Sequence, residues 1–246
     1  MSELIGKRAL VTGASRGIGA AIAAALAEKG ADVVVSYERS ADLAQKVVDL
    51  IASKGRRGFA VQADNADPAA VKRLVAEAVE KLGGIDILVN NAGIARAGAL
   101  PDVSLEDIDA LLAVNVRAAA LASQAVIPHL HEGGRIITIG SCLAERVPYG
   151  NLTVYSMTKS AILAFTKGLA RDLGPKGITV NTVQPGPIDT DQNPAQGAHA
   201  DVNRSLTALG RYGTTAEVAA AVAFLASPAA SFITGSALTV DGGINA

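Results

Sequence analysis

Seven short runs rich in Val, Ile and other small apolar residues recur along the chain, each separated from the next by an Ala-rich stretch of helical period. The runs are Arg8–Thr12, Asp32–Tyr37, Gly58–Gln62, Ile85–Asn90, Arg135–Gly140, Ile178–Val183 and Ala237–Val240. The intervening helix candidates lie near Gly17–Lys29, Ala41–Lys54, Pro68–Leu82, Ser104–His129, Val154–Leu173 and Thr215–Leu225. Strands without polar alternation are buried on both faces, and strands that alternate with helices pair in parallel. The pattern predicts an α/β fold with a doubly wound, seven-stranded parallel sheet and helices on both faces.

The 246 residues suffice for one such domain, and no linker or low-complexity tract divides them. The expectation is a single domain over 1–246. The stretch Gln184–Tyr212 lacks periodicity and is rich in Pro, Gly and polar residues, so 186–212 is read as a substrate loop or lid. A formal net charge of −1 and 3% aromatic residues leave no electrostatic or stacking footprint for nucleic acid. The apolar runs are too short for a membrane span, and the N-terminus is too polar for a signal peptide. One cysteine, Cys142, allows no internal disulfide and fits a cytoplasmic location.

The stretch Val11 to Gly19, VTGASRGIG, carries two overlapping patterns. Gly13-Ala14-Ser15-Arg16-Gly17 matches the elbow of a serine hydrolase, with Ser15 as nucleophile. That chemistry needs an oxyanion donor from an earlier strand and a later catalytic histidine. The loop follows the first strand, so no earlier strand can supply that donor, and His129, His131 and His199 read as surface residues. His129 and His131 alone are too few ligands for a metal, and no Gly-Lys-Ser/Thr completes a P-loop. The alternative requires glycines where the backbone turns against a ligand, followed by free N–H groups at a helix start. Gly13, Gly17 and Gly19 ahead of an Ala-rich helix meet that need for a dinucleotide pyrophosphate.

Further motifs follow in order: Asn90-Asn91-Ala92-Gly93, then Tyr155-Ser-Met-Thr-Lys159, then TGSALTVDGG from Thr234 to Gly243. With TGASRGIG they make the whole chain resemble the short-chain dehydrogenase/reductase family, most closely its 3-oxoacyl-[acyl-carrier-protein] reductase type. The resemblance implies hydride exchange between a nicotinamide dinucleotide and a ketone or 3-oxoacyl substrate. An NAD-linked alcohol or sugar dehydrogenase is the second reading, and a nucleotide-binding non-enzyme a remote third.

Tyr155 and Lys159, four residues apart, share one helix face. A tyrosine normally titrates near ~10, and lowering it by about three units takes ~4 kcal/mol, which a neighbouring ammonium can supply. Lys159 is therefore expected to depress Tyr155 and, by the resemblance, to hold the nicotinamide ribose. Ser141, following the run RIITIG, is placed to steady a carbonyl oxygen. Asn115 in LLAVNV matches the family's helix-kinking asparagine, which completes a water-linked relay to the lysine. The catalytic set is Asn115, Ser141, Tyr155 and Lys159.

For the dinucleotide the resemblance implies Gly13, Ser15, Arg16, Gly17, Ile18 and Gly19 at the phosphates, and Asp64 with Asn65 at the adenine. Asn91, Ala92 and Gly93 fall at the adenosine ribose, and Pro185, Gly186, Ile188 and Thr190 near the nicotinamide. Tyr37 stands where an NAD-specific acid would stand, while Arg16 and Arg39 suit a 2′-phosphate. Glu38 is the counter-charge. NADP(H) is favoured, with NAD(H) left open.

Expected substrate contacts are Ile94 to Arg96, Leu143, Val147, Tyr149 and the 186–212 loop, and Gln184 is read as facing substrate or nicotinamide. Packing on the sheet explains much of the small apolar character of Arg117–Val126 and Ser160–Leu169; the resemblance, in which these helices pair across subunits, implies a homo-oligomer, usually a tetramer.

Overall fold

A computed structural model describes residues 3–197 and 200–246. His199, read above as a surface histidine, lies outside the described residues. Seven parallel strands form one sheet in the order β3-β2-β1-β4-β5-β6-β7. They are β1 (Arg8–Val11), β2 (Asp32–Tyr37), β3 (Gly58–Gln62), β4 (Ile87–Asn90), β5 (Arg135–Ile139), β6 (Thr179–Pro185) and β7 (Ala237–Val240). The chain winds outward from β1 to β3, then returns to the other side of β1 and continues to β7. The doubly wound expectation is met.

Both faces of the sheet are dry because successive side chains on each strand point to opposite layers. Ala9 and Val11 of β1, Val33 and Val35 of β2, and Ile87 and Val89 of β4 join one core, with Ile22 and Leu26 of α1 (Gly17–Glu28) and Val218 and Val222 of α8 (Thr215–Ala226). Leu10, Val34 and Leu88 point the other way, onto Leu74 and Val75 of α3 (Pro68–Leu82) and Val126 of α5 (Ala118–Val126). The remaining helices are α2 (Ala41–Ser53), α4 (Leu105–Leu112), α6 (Thr153–Leu173) and α7 (Ala200–Leu206).

Three local departures from the sequence reading have physical causes. The expected single helix Ser104–His129 is a continuous helical run, but a π-turn at Ala113–Arg117 separates α4 from α5 and a 3-10 turn ends it. By length and composition alone the run could span a membrane, but much of its apolar stretch is buried inside the protein. The segment from Gln184 to Tyr212 is not irregular throughout. Gln184 and Pro185 complete β6 against Thr239 and Val240, and Ala200–Leu206 forms α7. Gln184 is also turned from the cavity described below: it is fully buried, and its amide donates to Glu145 at 3.0 Å.

At the N-terminal edge, Asp32 ties β2 to β3. Its carboxylate accepts the Arg57 backbone N–H at 3.0 Å and the Arg57 guanidinium at 2.7 Å, and pairs with Arg56 at 2.7 Å. Burial would raise its pKa, but these donors overcome that and hold it below the ordinary 3.8. Asp32→Asn should therefore lower unfolding stability by about 1–3 kcal/mol at pH 7. A carboxylate held low in the folded state stabilises above its unfolded pKa and loses that contribution as pH falls through the folded value. Urea unfolding at a series of pH values should show the two proteins converging below about pH 4.

Candidate active site

The C-terminal ends of the parallel strands open into one cavity of about 710 Å³, within the range of ligand sites. It lies over the place where the connections from β1 and β4 diverge, the position at which open α/β sheets bind ligands. Gly13, Ser15, Arg16, Gly17, Ile18 and Gly19 line it, as do Tyr37, Arg39, Asp64, Asn65, Asn91, Ala92 and Gly93. Pro185, Gly186, Ile188, Thr190, Ser141, Tyr155 and Lys159 line the same cavity. One predicted catalytic residue does not: Asn115 lies behind this wall, beside a second, much smaller cavity of about 10 Å³.

The glycine loop is built by close backbone contact. A Cβ on Gly13 would stand 2.8 Å from the Ala92 Cα, and one on Gly19 would stand 2.7 Å from the Gly13 carbonyl oxygen. Thr12 and Asn91 lock the loop to β4. The Thr12 hydroxyl accepts the N–H groups of Asn91 and Ala92, both at 3.0 Å, and the Asn91 amide donates to the carbonyls of Thr12 and Gly13, both at 2.9 Å. Asn91 thus has a structural duty besides lining the cavity. Helix α1 begins here with no side-chain cap and no acidic residue in its first turn. Uncapped N–H groups beside a cavity at the positive end of a helix fit an anionic pyrophosphate.

At the nucleotide end both candidate phosphate-binding arginines already face carboxylates. Arg39 pairs with Glu38 at 2.8 Å, and Arg16 lies 3.8 Å from Asp191. Tyr37 closes β2, which leaves Glu38 just beyond the strand. Glu38 and Asp191 line the cavity as well. Asp64 directs one carboxylate oxygen to the Ala66 N–H at 2.8 Å, bracing its own turn.

The catalytic candidates come from three elements. Ser141 follows β5 and caps a short 3-10 turn, accepting the Leu143 N–H at 3.1 Å. Tyr155 and Lys159 face the cavity from α6, one turn apart. The Lys159 ammonium donates to the Ile139 carbonyl at 3.1 Å and sits 5.7 Å from the centre of the Tyr155 ring.

This geometry corrects the expected pKa order. Burial pushes Tyr155 up to about 12, with the Ser141 hydroxyl pulling the other way, and burial pushes Lys159 down to about 8. Desolvation penalises both charged forms, and Lys159 is engaged by a carbonyl rather than by the phenol oxygen, so it does not depress Tyr155 in this state. Cys142 behaves as the packing residue its sequence context suggested: burial, reinforced by the Asp241 charge, pushes its thiol up to about 11.

Asn115 sits in the π-turn, and its amide is committed to structure. Its oxygen accepts the Ile94 N–H at 2.9 Å, while its nitrogen donates to the Ile94 carbonyl at 2.9 Å and the Thr158 hydroxyl at 3.1 Å. Thr158 in turn donates to the Tyr155 carbonyl at 2.7 Å. Asn115 therefore holds the loop after β4 against the helix that carries Tyr155 and Lys159. A Cβ on Gly93 would stand 3.4 Å from the Asn115 oxygen and 3.5 Å from the Lys159 ammonium.

Among the expected substrate contacts, Ile94, Ala95, Leu143 and Tyr149 line the cavity. Arg96 and Val147 do not; Arg96 instead pairs with Asp107 at 3.1 Å. Asn193 and Asn203 of the expected 186–212 loop line it too, as do Leu152 and Ile244, which the sequence reading did not name. Asn203 had no signal of its own, because only the formation of α7 turns it inward.

A glycine loop at the first crossover, with a hydroxyl, a phenol and an ammonium at the far end of one cavity, defines a dinucleotide-dependent oxidoreductase of the doubly wound class. Comparison with known proteins names the family. The sequence model of the family described as Enoyl-(Acyl carrier protein) reductase matches residues 13–245. A short chain dehydrogenase from Burkholderia cenocepacia J2315, solved in complex with NADP, is 59% identical with a TM-score of 0.98, covering 99% of this chain and 100% of that one. The Cyclic-di-GMP-binding biofilm dispersal mediator protein of Escherichia coli (strain K12) is 44% identical over 246 residues, covering both sequences completely. Versicolorin reductase of Emericella nidulans is 44% identical over 254 residues, covering 98% of this chain and 96% of that protein. The chain belongs to the short-chain dehydrogenase/reductase family.

Asn115→Ala should lower stability by about 1–3 kcal/mol, because both backbone groups of Ile94 lose their Asn115 partner and the Thr158 hydroxyl loses a donor. Thermal unfolding checks the loss, and hydrogen exchange at the amide of Ile94 should rise with it.

Proposed function

We propose that the protein is an NADPH-dependent carbonyl reductase, reversible to alcohol oxidation, with Tyr155 as the general acid and base. The observation that carries the reading is the convergence of Ser141, Tyr155 and Lys159 on the cavity that holds the glycine loop. The dinucleotide, when bound, supplies or accepts the hydride. The protein's own part is to bind, orient and move a proton.

In reduction Tyr155 donates its phenolic proton to the carbonyl oxygen, and a phenol pushed to about 12 keeps that proton at neutral pH. Ser141 donates to the same oxygen as negative charge develops on it. Lys159 carries the positive charge of the site and is held in place through Ile139, while Asn115 fixes the helix and loop around it. Gly13 to Gly19 take the pyrophosphate, Asp64 and Asn65 the adenine, Asn91 to Gly93 the ribose, and Pro185 to Thr190 the nicotinamide.

Arg16 and Arg39 take the 2′-phosphate in place of their present carboxylate partners, and the solved Burkholderia relative is described as an NADP complex. Segment 186–212 is the lid of a single catalytic domain. A cytoplasmic homo-oligomer is supported by the free thiol of Cys142, by the position of β7 at the edge of the sheet among the described residues, and by the exposed side chains of Phe224 and Phe232.

The name of the Escherichia coli relative raises a second reading, a nucleotide-binding protein without turnover. Tyr155 and Lys159 beside Ser141 favour catalysis. A carbonyl panel with NADPH and NADH should show reduction that Tyr155→Phe abolishes; a mutant with full turnover, or binding of cyclic-di-GMP without any reduction, would reverse the choice. Replacing Arg16 and Arg39 together by Ala should raise KM for NADPH roughly tenfold or more while that for NADH changes little.

The pH profile follows from the two buried groups. Tyr155 must be protonated and Lys159 charged, so kcat/KM for reduction should be flat at neutral pH. Above the lysine value of about 8 it should fall, by about tenfold per pH unit.

A further inference from the structure

The end of the cavity beyond Ser141 and Tyr155 is divided between two chemistries. Leu143, Leu152 and Ile244 form an apolar wall, and Tyr149, Asn193 and Asn203 supply polar groups to the same space. The polar groups belong to one directed chain of hydrogen bonds. Tyr149 donates its hydroxyl proton to the Asn203 oxygen at 3.4 Å, and the Asn203 amide donates to the Tyr212 hydroxyl at 2.7 Å. Tyr212 in turn donates to the Asn193 oxygen at 3.3 Å.

Asn203 and Tyr212 are each only 8% exposed. A buried amide on a short helix is unfavourable unless its groups are paired, and an apolar residue would close α7 against Leu143 and Ile244 without that penalty. The chain leaves valence unused on the cavity side. An amide nitrogen carries two N–H groups, and among the described residues Asn203 spends one, on Tyr212. The Tyr149 hydroxyl accepts no bond among the described residues, and its bond to Asn203 is the longest and weakest link.

We propose that Tyr149 and Asn203 are specificity-determining residues that recognise a second oxygen on the substrate. This rests on carbonyl reduction at Tyr155. The substrate is then a ketone with an apolar body and a neutral hydroxyl or carbonyl oxygen a few carbons from the reacting carbon. That oxygen accepts the free N–H of Asn203 and draws the Tyr149 proton from its long internal bond. The group is neutral because the cations lining the cavity, among the described residues, are Arg16, Arg39 and Lys159. The first two stand at the nucleotide end and the third is the catalytic lysine, so no charge is left for a carboxylate or phosphate.

The test compares two ketones of equal size, 4-hydroxy-2-butanone and 2-pentanone, which differ by a hydroxyl in place of a methyl group. Their kcat/KM values are measured with NADPH for the wild type, Tyr149→Phe and Asn203→Leu. The wild type should prefer the hydroxyketone, and each variant should lower the ratio roughly tenfold or more, mainly through KM. Tyr149 is 38% exposed, so its replacement by Phe keeps the test valid if Asn203→Leu misfolds.

A merely structural role in holding the segment closed would lower both substrates in proportion and leave the ratio unchanged. That result, or a wild type without preference, overturns the proposal. Reduction of neither these ketones nor any in the wider panel overturns the carbonyl-reductase reading itself.

Discussion

A parallel sheet buried on both faces has one unavoidable consequence: every strand ends at the same edge, and the chain must cross a helical layer to begin the next strand. Where the crossovers from β1 and β4 leave toward opposite sides, no helix covers the strand ends and a crevice opens. Gly13 to Gly19 and Asn91 to Gly93 meet there because their strands are neighbours. Thr12 and Asn91 close the meeting with hydrogen bonds that only glycine-sized backbones allow. Everything else in the site is placed relative to that junction. β5 delivers Ser141 one strand further on, and β6 delivers Pro185 and the segment behind it.

Burial then decides the chemistry. Tyr155 and Lys159 face the cavity, yet burial is the largest influence on each, so the neutral form of each is favoured. The phenol is thereby kept as a proton donor, which suits delivery to a carbonyl oxygen. The ammonium is retained by a single carbonyl, that of Ile139, and stands close to its titration point. The same burial silences Cys142, whose thiol points into the same region without becoming a nucleophile.

Rigid and adaptable parts of the site come from different kinds of structure. The nucleotide end rests on strand ends and one helix terminus, held by backbone-directed bonds from Thr12, Asn91 and Asn115. The substrate end rests on the loop around Tyr149, on α7 and on the last residues of the chain. There Arg146 donates to the Ile244 carbonyl at 2.6 Å and Asn245 to the Cys142 carbonyl at 2.8 Å. Loops carried on a rigid scaffold in this way are where a fold sets its substrate preference.

The strands and long helices were legible in the sequence because burial on both faces demands unbroken Val and Ile, and the glycine loop because its backbone contacts exclude any side chain. Tyr155, Lys159 and Ser141 were legible as spaced motifs, and they share a cavity. The pairing of charges was not legible. Proximity of a lysine to a tyrosine in sequence suggested a depressed phenol, but desolvation acts on both and the lysine found a carbonyl instead. Nor could Asn115 be seen as a brace for Ile94, Gln184 as a partner of Glu145, or Asn203 as the link between Tyr149 and Tyr212. Each of those depends on which way a polar side chain turns once distant segments are packed. Sequence by itself determined the sheet, the glycine loop and the candidate residue types of the site, since local period and backbone sterics act over a few residues. Tertiary structure alone decided the protonation preferences and the polar wall of the substrate end, since desolvation and long-range hydrogen bonds exist only after the chain has closed on itself.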